Sequence, residues 1–182
     1  SDLQRHLGPK PYLLSDHPYA GFNLRMTDIQ GSLGNAQMIR AASIISERRK
    51  IASKYNSNFA EIKWLETPND SENYFHSFQS YPCLFEPERV KNALSDNNFE
   101  QLNIINQERN QWMEYLQSKG ISTRPATHAV HMLKYYKEKY HLESNSLPVS
   151  FAANNCSVSL PLFNGMTDDE QDYVIDIVLS RF

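Results

Sequence analysis

Two short stretches of the chain place amide and cationic side chains where they can meet an anion. The first is Gly21-Phe22-Asn23-Leu24-Arg25-Met26. Asn23 and Arg25 are alternate residues, so in extended chain they point to one side as a polar pair. A turn with a buried aromatic explains the same stretch at least as well from its residues alone. The second is the segment around Pro125, which must be a loop because proline cannot continue a ladder. Arg124 precedes it, and His128 and His131 form an H-x-x-H pair within it. Such a pair can ligate a metal, but no Cys, Asp or Glu stands beside it to complete a set. An arginine and two imidazoles on one loop suit a phosphate or pyrophosphate better.

Other candidates carry less. The six glycines are too dispersed for a dinucleotide or phosphate-cradling loop. Lys10 lies between Pro9 and Pro11, a poor setting for a Schiff-base lysine, which needs a fixed, desolvated site to lower its pKa. His76 reads as a satisfied sheet histidine. Trp64, Trp112, Tyr135 and Tyr136 read as core or interface aromatics.

The elements that must position these residues follow from patterning. Residues 1–26 carry Pro9, Pro11 and Pro18 with Gly8 and Gly21, the composition of irregular chain. Thr27 and Gln30 then form a capping-box pair. Ile29, Leu33, Ala36, Met38, Ala42, Ile45 and Ala52 predict one helix over 27–59, with Glu47, Arg48, Arg49 and Lys50 on its polar face. Gly31 and Gly34 weaken its first turns or permit close packing on another helix.

Strands are predicted at 62–65 and 75–84, with Pro82 marking the latter as an edge. Residues 86–103 read as a polar, Asn-rich surface excursion with room for one helical turn. A helix over 107–119 buries Trp112, Met113 and Leu116 and stops at Gly120. A strand at 121–124, helices at 133–140 and 148–155, and a strand at 157–160 follow. Thr167 and Glu170 cap a last helix, with Val174, Ile177 and Val178 inward. This pattern is that of an α+β fold: a long N-terminal helix, then a short, mainly antiparallel sheet with helices packed on one face.

Composition narrows the function. The chain has 182 residues, 40% hydrophobic and 21% charged, with a net charge of −3. Wholesale nucleic-acid binding is disfavoured by that balance. Cys83 and Cys156 cannot make a disulfide framework or a four-ligand metal site, and a reduced, cytoplasmic setting is expected. No apolar run approaches eighteen residues, so no spanning helix is expected. The opening Ser1–His6, without Met, reads as a cut within a longer protein.

Four segments in order resemble the DegT/StrS group of sugar aminotransferases. They are the stretch from Gly21 to Gln30 with Leu33-Gly34 and Ala36-Gln37; Gly120-Ile121-Ser122-Thr123-Arg124-Pro125; Thr127-His128-Ala129-Val130-His131 with Tyr135-Tyr136; and Leu160-Pro161-Leu162-Phe163-Asn164-Gly165-Met166-Thr167. Leu24 stands where the group has an aromatic, Met38 where it has Leu, and Asn164 where it has Pro.

The resemblance implies a fold-type I enzyme dependent on pyridoxal phosphate and working as a homodimer. It implies transfer of an amino group, usually from glutamate, to a nucleotide-linked keto sugar, in pathways such as surface polysaccharide synthesis. It divides the chain into the tail of a large domain with the interdomain helix, 1–59, and a small C-terminal domain, 60–182. It places Asn23 on the cofactor phosphate of the neighbouring subunit, and Arg25 and His131 near the nucleotide-sugar, with His128 and Arg124 as further substrate-side candidates. The group's Schiff-base lysine lies upstream of this sequence, so no catalytic residue is expected in the chain, and the chain alone is expected to be inactive. Two alternatives stay open: a sugar dehydratase of the same fold, with histidine for that lysine, and a non-catalytic binding or regulatory homologue.

Overall fold

A computed structural model describes residues 25–69 and 73–181. The chain forms two compact units, Ser1–Ile39 and Arg40–Phe182.

The first unit, as far as it is described, is the start of helix α1 (Asp28–Phe59), which runs on into the second. The expected capping box is present. The Thr27 N–H donates to Gln30 Oε1 at 3.0 Å, and the Gln30 N–H donates to Thr27 Oγ1 at 3.3 Å. Ile29, Leu33, Met38 and Ile39 are exposed, Ile29 to 83%. Among the described residues, a side chain on Gly31 would meet Met26 Sδ at 3.9 Å, and one on Gly34 would meet nothing beyond its own helix. Among the described residues, then, neither glycine serves close helix packing.

In the second unit, α1 turns inward. Ile51, Ala52, Tyr55 and Phe59 recur at helical spacing and are all buried. They join a core built with Leu65, Tyr81, Cys83, Phe85, Leu102, Ile105, Leu116 and Val158. The sheet has strand order β1 (Leu65–Glu66), β2 (Tyr81–Phe85), β3 (Ser157–Leu160), antiparallel throughout. Buried Tyr81, Cys83 and Phe85 alternate with half-buried Pro82 and Leu84, the period-two pattern of a strand.

Strand β2 is therefore central, not the edge that Pro82 implied. The proline is tolerated for a local reason. Its partner Ser159 exchanges both backbone hydrogen bonds with Arg124 on the far side, at 3.4 and 2.7 Å. Pro82 and Ser159 are thus a non-hydrogen-bonded pair, and β1 reaches only Leu84 and Phe85. No partner asks Pro82 for the N–H it lacks. The expected strand at 121–124 shrinks to that single bridge at Arg124. The expected strand start at 75 is also absent. Phe78 is buried but sits at φ +47°, outside any strand, and His76 is exposed, its Nδ1 accepting the Phe78 N–H at 2.9 Å.

Residues 86–103 are not a surface excursion. They form α2 (Pro87–Ser95) and the first turns of α3 (Phe99–Ser118). Pro87 starts α2, where its missing N–H has no cost. Asn98 caps α3 by accepting the Gln101 N–H at 2.9 Å. Val90, Ala93 and Leu102 are buried among asparagines that line the outer surface. Helix α3 packs on α2 and on α5 (Pro148–Cys156), and it stops as expected. Gly120 adopts φ +78°, its N–H donates to Gln117 O, and the Ile121 N–H donates to Leu116 O, a Schellman motif.

Helices α4 (Lys134–Tyr140) and α6 (Asp168–Leu179) also fall where expected. The α6 capping box of Thr167 and Glu170 is complete. Its inner stripe is Gln171, Val174, Ile175 and Val178, with Ile177 only partly buried. Gln171 belongs inside because its Nε2 donates to Ile51 O at 2.8 Å, tying α6 to α1. Trp112 is buried and Trp64 packs against it edge-on at 5.2 Å, whereas Tyr135 and Tyr136 are exposed and lie outside this core.

Candidate functional site

Asn23 lies outside the described residues. Arg25 is exposed, ahead of α1 in the first unit. The other three candidates belong to the second unit and to one stretch of chain, 124–131. Arg124 is held by its backbone at the margin of the sheet and is exposed. His128 is exposed on the following loop.

His131 differs. It is only 4% exposed, and neither Nδ1 nor Nε2 has a hydrogen-bond partner among the described residues. The H-x-x-H pair is therefore split, one imidazole outward and one inward, an arrangement unsuited to a shared metal. Among the described residues no cluster of His, Cys, Asp or Glu could hold a metal ion. A buried imidazole with both nitrogens bare carries a desolvation cost of about 1–3 kcal/mol per group.

The loop owes its shape to a residue that sequence reasoning missed. Asn154, near the end of α5, accepts the Ala129 N–H on Oδ1 at 3.1 Å. Its Nδ2 donates to Asn155 Oδ1 at 2.9 Å, and Asn155 O accepts from Asn106 of α3 at 2.8 Å. A short 3-10 turn, Val130–Met132, then carries His131 inward and leads into α4. Asn154-Asn155 closing an otherwise apolar helix was the available signal, because such amides bond locally to backbone.

Buried Arg109 was also missed. Its Nη1 donates to Ser157 O at 3.0 Å, fastening α3 to the start of β3. Burial lowers its pKa. Cys83 and Cys156 are buried free thiols. Burial pushes Cys156 up to about 11, so neither nucleophilic nor redox chemistry is favoured there.

The lysines show what this part of the molecule lacks. No described lysine is buried. Lys54 and Lys91 are held above the ordinary range, chiefly by the hydrogen bonds they donate to the Asp172 and Glu66 carboxylates. An amine that forms a Schiff base needs the opposite shift. Neither Lys54 nor Lys91 therefore has the character of a Schiff-base amine.

The chain is 28% identical over 174 residues to GDP-perosamine synthase of Caulobacter vibrioides, covering 95% of this chain and 42% of that protein. It is 26% identical to GDP-perosamine synthase of Escherichia coli O157:H7, covering 89% of this chain and 38% of the other. It thus spans about two fifths of the length of these relatives. Its fold matches a putative sugar aminotransferase of Streptococcus pneumoniae in the apo form, with a TM-score of 0.69 at 25% identity, over 84% of this chain and 34% of that one. Structures of that protein in pyridoxal phosphate and pyridoxamine phosphate forms match with a TM-score of 0.68. Residues 6–179 match the sequence pattern of one family, and on that match the chain belongs to the DegT/DnrJ/EryC1/StrS aminotransferase family.

Proposed function

We propose that the chain is the C-terminal part of a pyridoxal-phosphate aminotransferase that moves an amino group, from glutamate, onto a nucleotide-linked keto sugar. The observation that carries this reading is the family match over residues 6–179. The named relatives that make an amino sugar on a nucleotide support the substrate class. In the reading, 1–59 is the tail of the large domain with the interdomain helix, and 60–182 is the small domain. The parent works as a cytoplasmic homodimer.

The residues of this chain bind and orient. Asn23 contacts the cofactor phosphate in the neighbouring subunit. Arg25, Arg124 and His128 meet the nucleotide phosphates with charge-assisted hydrogen bonds. The bare nitrogens of His131 support a role that needs a partner from substrate or from parts of the parent beyond this chain. Pyridoxal phosphate, when bound, supplies the electron sink for amino-group chemistry. In this reading its lysine anchor comes from upstream of the chain. The 182-residue chain alone is accordingly inactive.

The parent enzyme tests the reading through His131→Gln and Arg124→Ala. Both should raise KM for the nucleotide-sugar while leaving glutamate-dependent amination of the cofactor unchanged. Unaltered KM in both would remove these residues from the substrate site. Turnover by the isolated chain would refute its inactivity.

A further inference from the structure

We propose that Glu47, Arg48 and Asn164 form an acid-releasable clamp that fastens the loop between β3 and α6 to α1, with the Glu47 carboxylate as its release point. This inference does not depend on the catalytic reading.

Asn164 uses its whole amide. Its Nδ2 donates to Glu47 Oε2 at 2.8 Å and to Ile44 O at 3.2 Å, and its Oδ1 accepts from Arg48 Nε at 3.0 Å. Turning the amide over would set its NH2 against a guanidinium and its oxygen against a carboxylate. The charges therefore fix its orientation. The other Glu47 oxygen, Oε1, accepts the Gly165 N–H at 2.7 Å. Gly165 sits at φ +85°, a conformation that side-chain-bearing residues rarely adopt. Arg48 completes the device. Its Nη1 donates to Phe78 O at 3.1 Å and to Gln79 O at 2.7 Å, so the same arginine also holds the segment leading into β2.

Glu47 is the element that can change state. The charged groups facing it, Arg40 and Arg48, are both on α1; the loop offers the neutral donors Asn164 Nδ2 and Gly165 N–H. These partners, the Asn164 hydrogen bond first, hold its carboxyl below the usual carboxylate range. A depressed folded value means the clamp is whole above the unfolded carboxylate pKa and is lost as pH falls through the folded one. A protonated carboxyl has become a donor on one oxygen. It then conflicts with one of the two N–H groups it received.

Amide hydrogen exchange at Gly165 reads the clamp directly. In the wild-type chain its protection factor should fall roughly threefold between pH 6 and pH 2, less than for a fully desolvated charge-assisted hydrogen bond because solvent reaches the Glu47 carboxyl. Glu47→Gln should exchange faster at both pH values and show no such step. Asn164→Ala should lower protection at pH 6 while keeping a smaller step. Buried Ile105 serves as the control and should stay protected throughout. Equal wild-type protection at the two pH values would overturn the proposal. So would a wild-type pH profile in Glu47→Gln, or a parallel fall at Ile105, which would signal global unfolding instead of local release.

Discussion

Replacing Arg181 with alanine strips the cover from the aromatic corner of the core. The Arg181 guanidinium lies 4.2 Å from the Trp64 ring centroid and 4.4 Å from that of Phe85. It pairs with Glu86 at 3.4 Å, where the two side chains are 15% and 20% exposed. Trp64, Phe85 and Trp112 in turn pack on one another. Each partly desolvated cation–π contact is worth about 1 kcal/mol. A shielded but not buried ion pair adds about 0.5–1 kcal/mol. The sum predicts a loss of about 2–3 kcal/mol. For a chain of this size that lowers Tm by roughly 5–10 °C. Arg181→Lys keeps the charge but not the flat face, and should recover only the ion-pair share. Urea unfolding of the three proteins measures this. An alanine variant within about 0.5 kcal/mol of wild type, an ordinary surface effect, would refute the stacking argument, as would a lysine variant equal to wild type.

Other consequences are simpler to state. Gly120→Ala forces a side chain into φ +78° at the end of α3; chemical denaturation should show a loss of about 1–2 kcal/mol. Tyr55→Phe removes the hydroxyl that donates to Pro161 O at 2.9 Å from a fully buried ring, and the same assay should show a loss of about 1 kcal/mol. Glu108 is held below the usual carboxylate range, first by the Arg89 hydrogen bond, and Glu170 likewise by the Thr167 backbone. Both have depressed folded values, so their stabilisation is present above the unfolded pKa and declines as pH falls through the folded one. A pH series of denaturant midpoints should fall on the acid side, less steeply in Glu108→Gln.

The elements that were legible carry a local chemical signature. The capping boxes at Thr27 and Thr167 and the stop at Gly120 are fixed by residues within a turn of one another, and they appear as read. What failed depends on distant partners. Pro82 looked like an edge residue because the exchange between Ser159 and Arg124 that excuses it lies far along the chain. Residues 86–103 looked like surface because the asparagines outnumber Val90, Ala93 and Leu102, which do the packing. Arg48 and Arg49 read as a solvent-facing stripe of α1. Instead they reach back to the carbonyls of Phe78, Gln79 and His76.

The site was legible only as a set of residue types. An arginine and two histidines on one loop were visible in sequence. That one histidine faces inward depends on Asn154, which grips the loop from another helix. Asn164 shows the same limit. Its departure from the family's proline was plain, and its purpose emerged only beside Glu47 and Arg48.

The central claim is that this chain is the C-terminal part of a pyridoxal-phosphate aminotransferase. Adding glutamate to the purified full-length parent tests it most directly. The account predicts a visible absorbance band from the bound aldehyde cofactor that bleaches with glutamate and returns when a keto sugar nucleotide is added. A parent that binds no pyridoxal phosphate, or whose band is unmoved by glutamate, would contradict it.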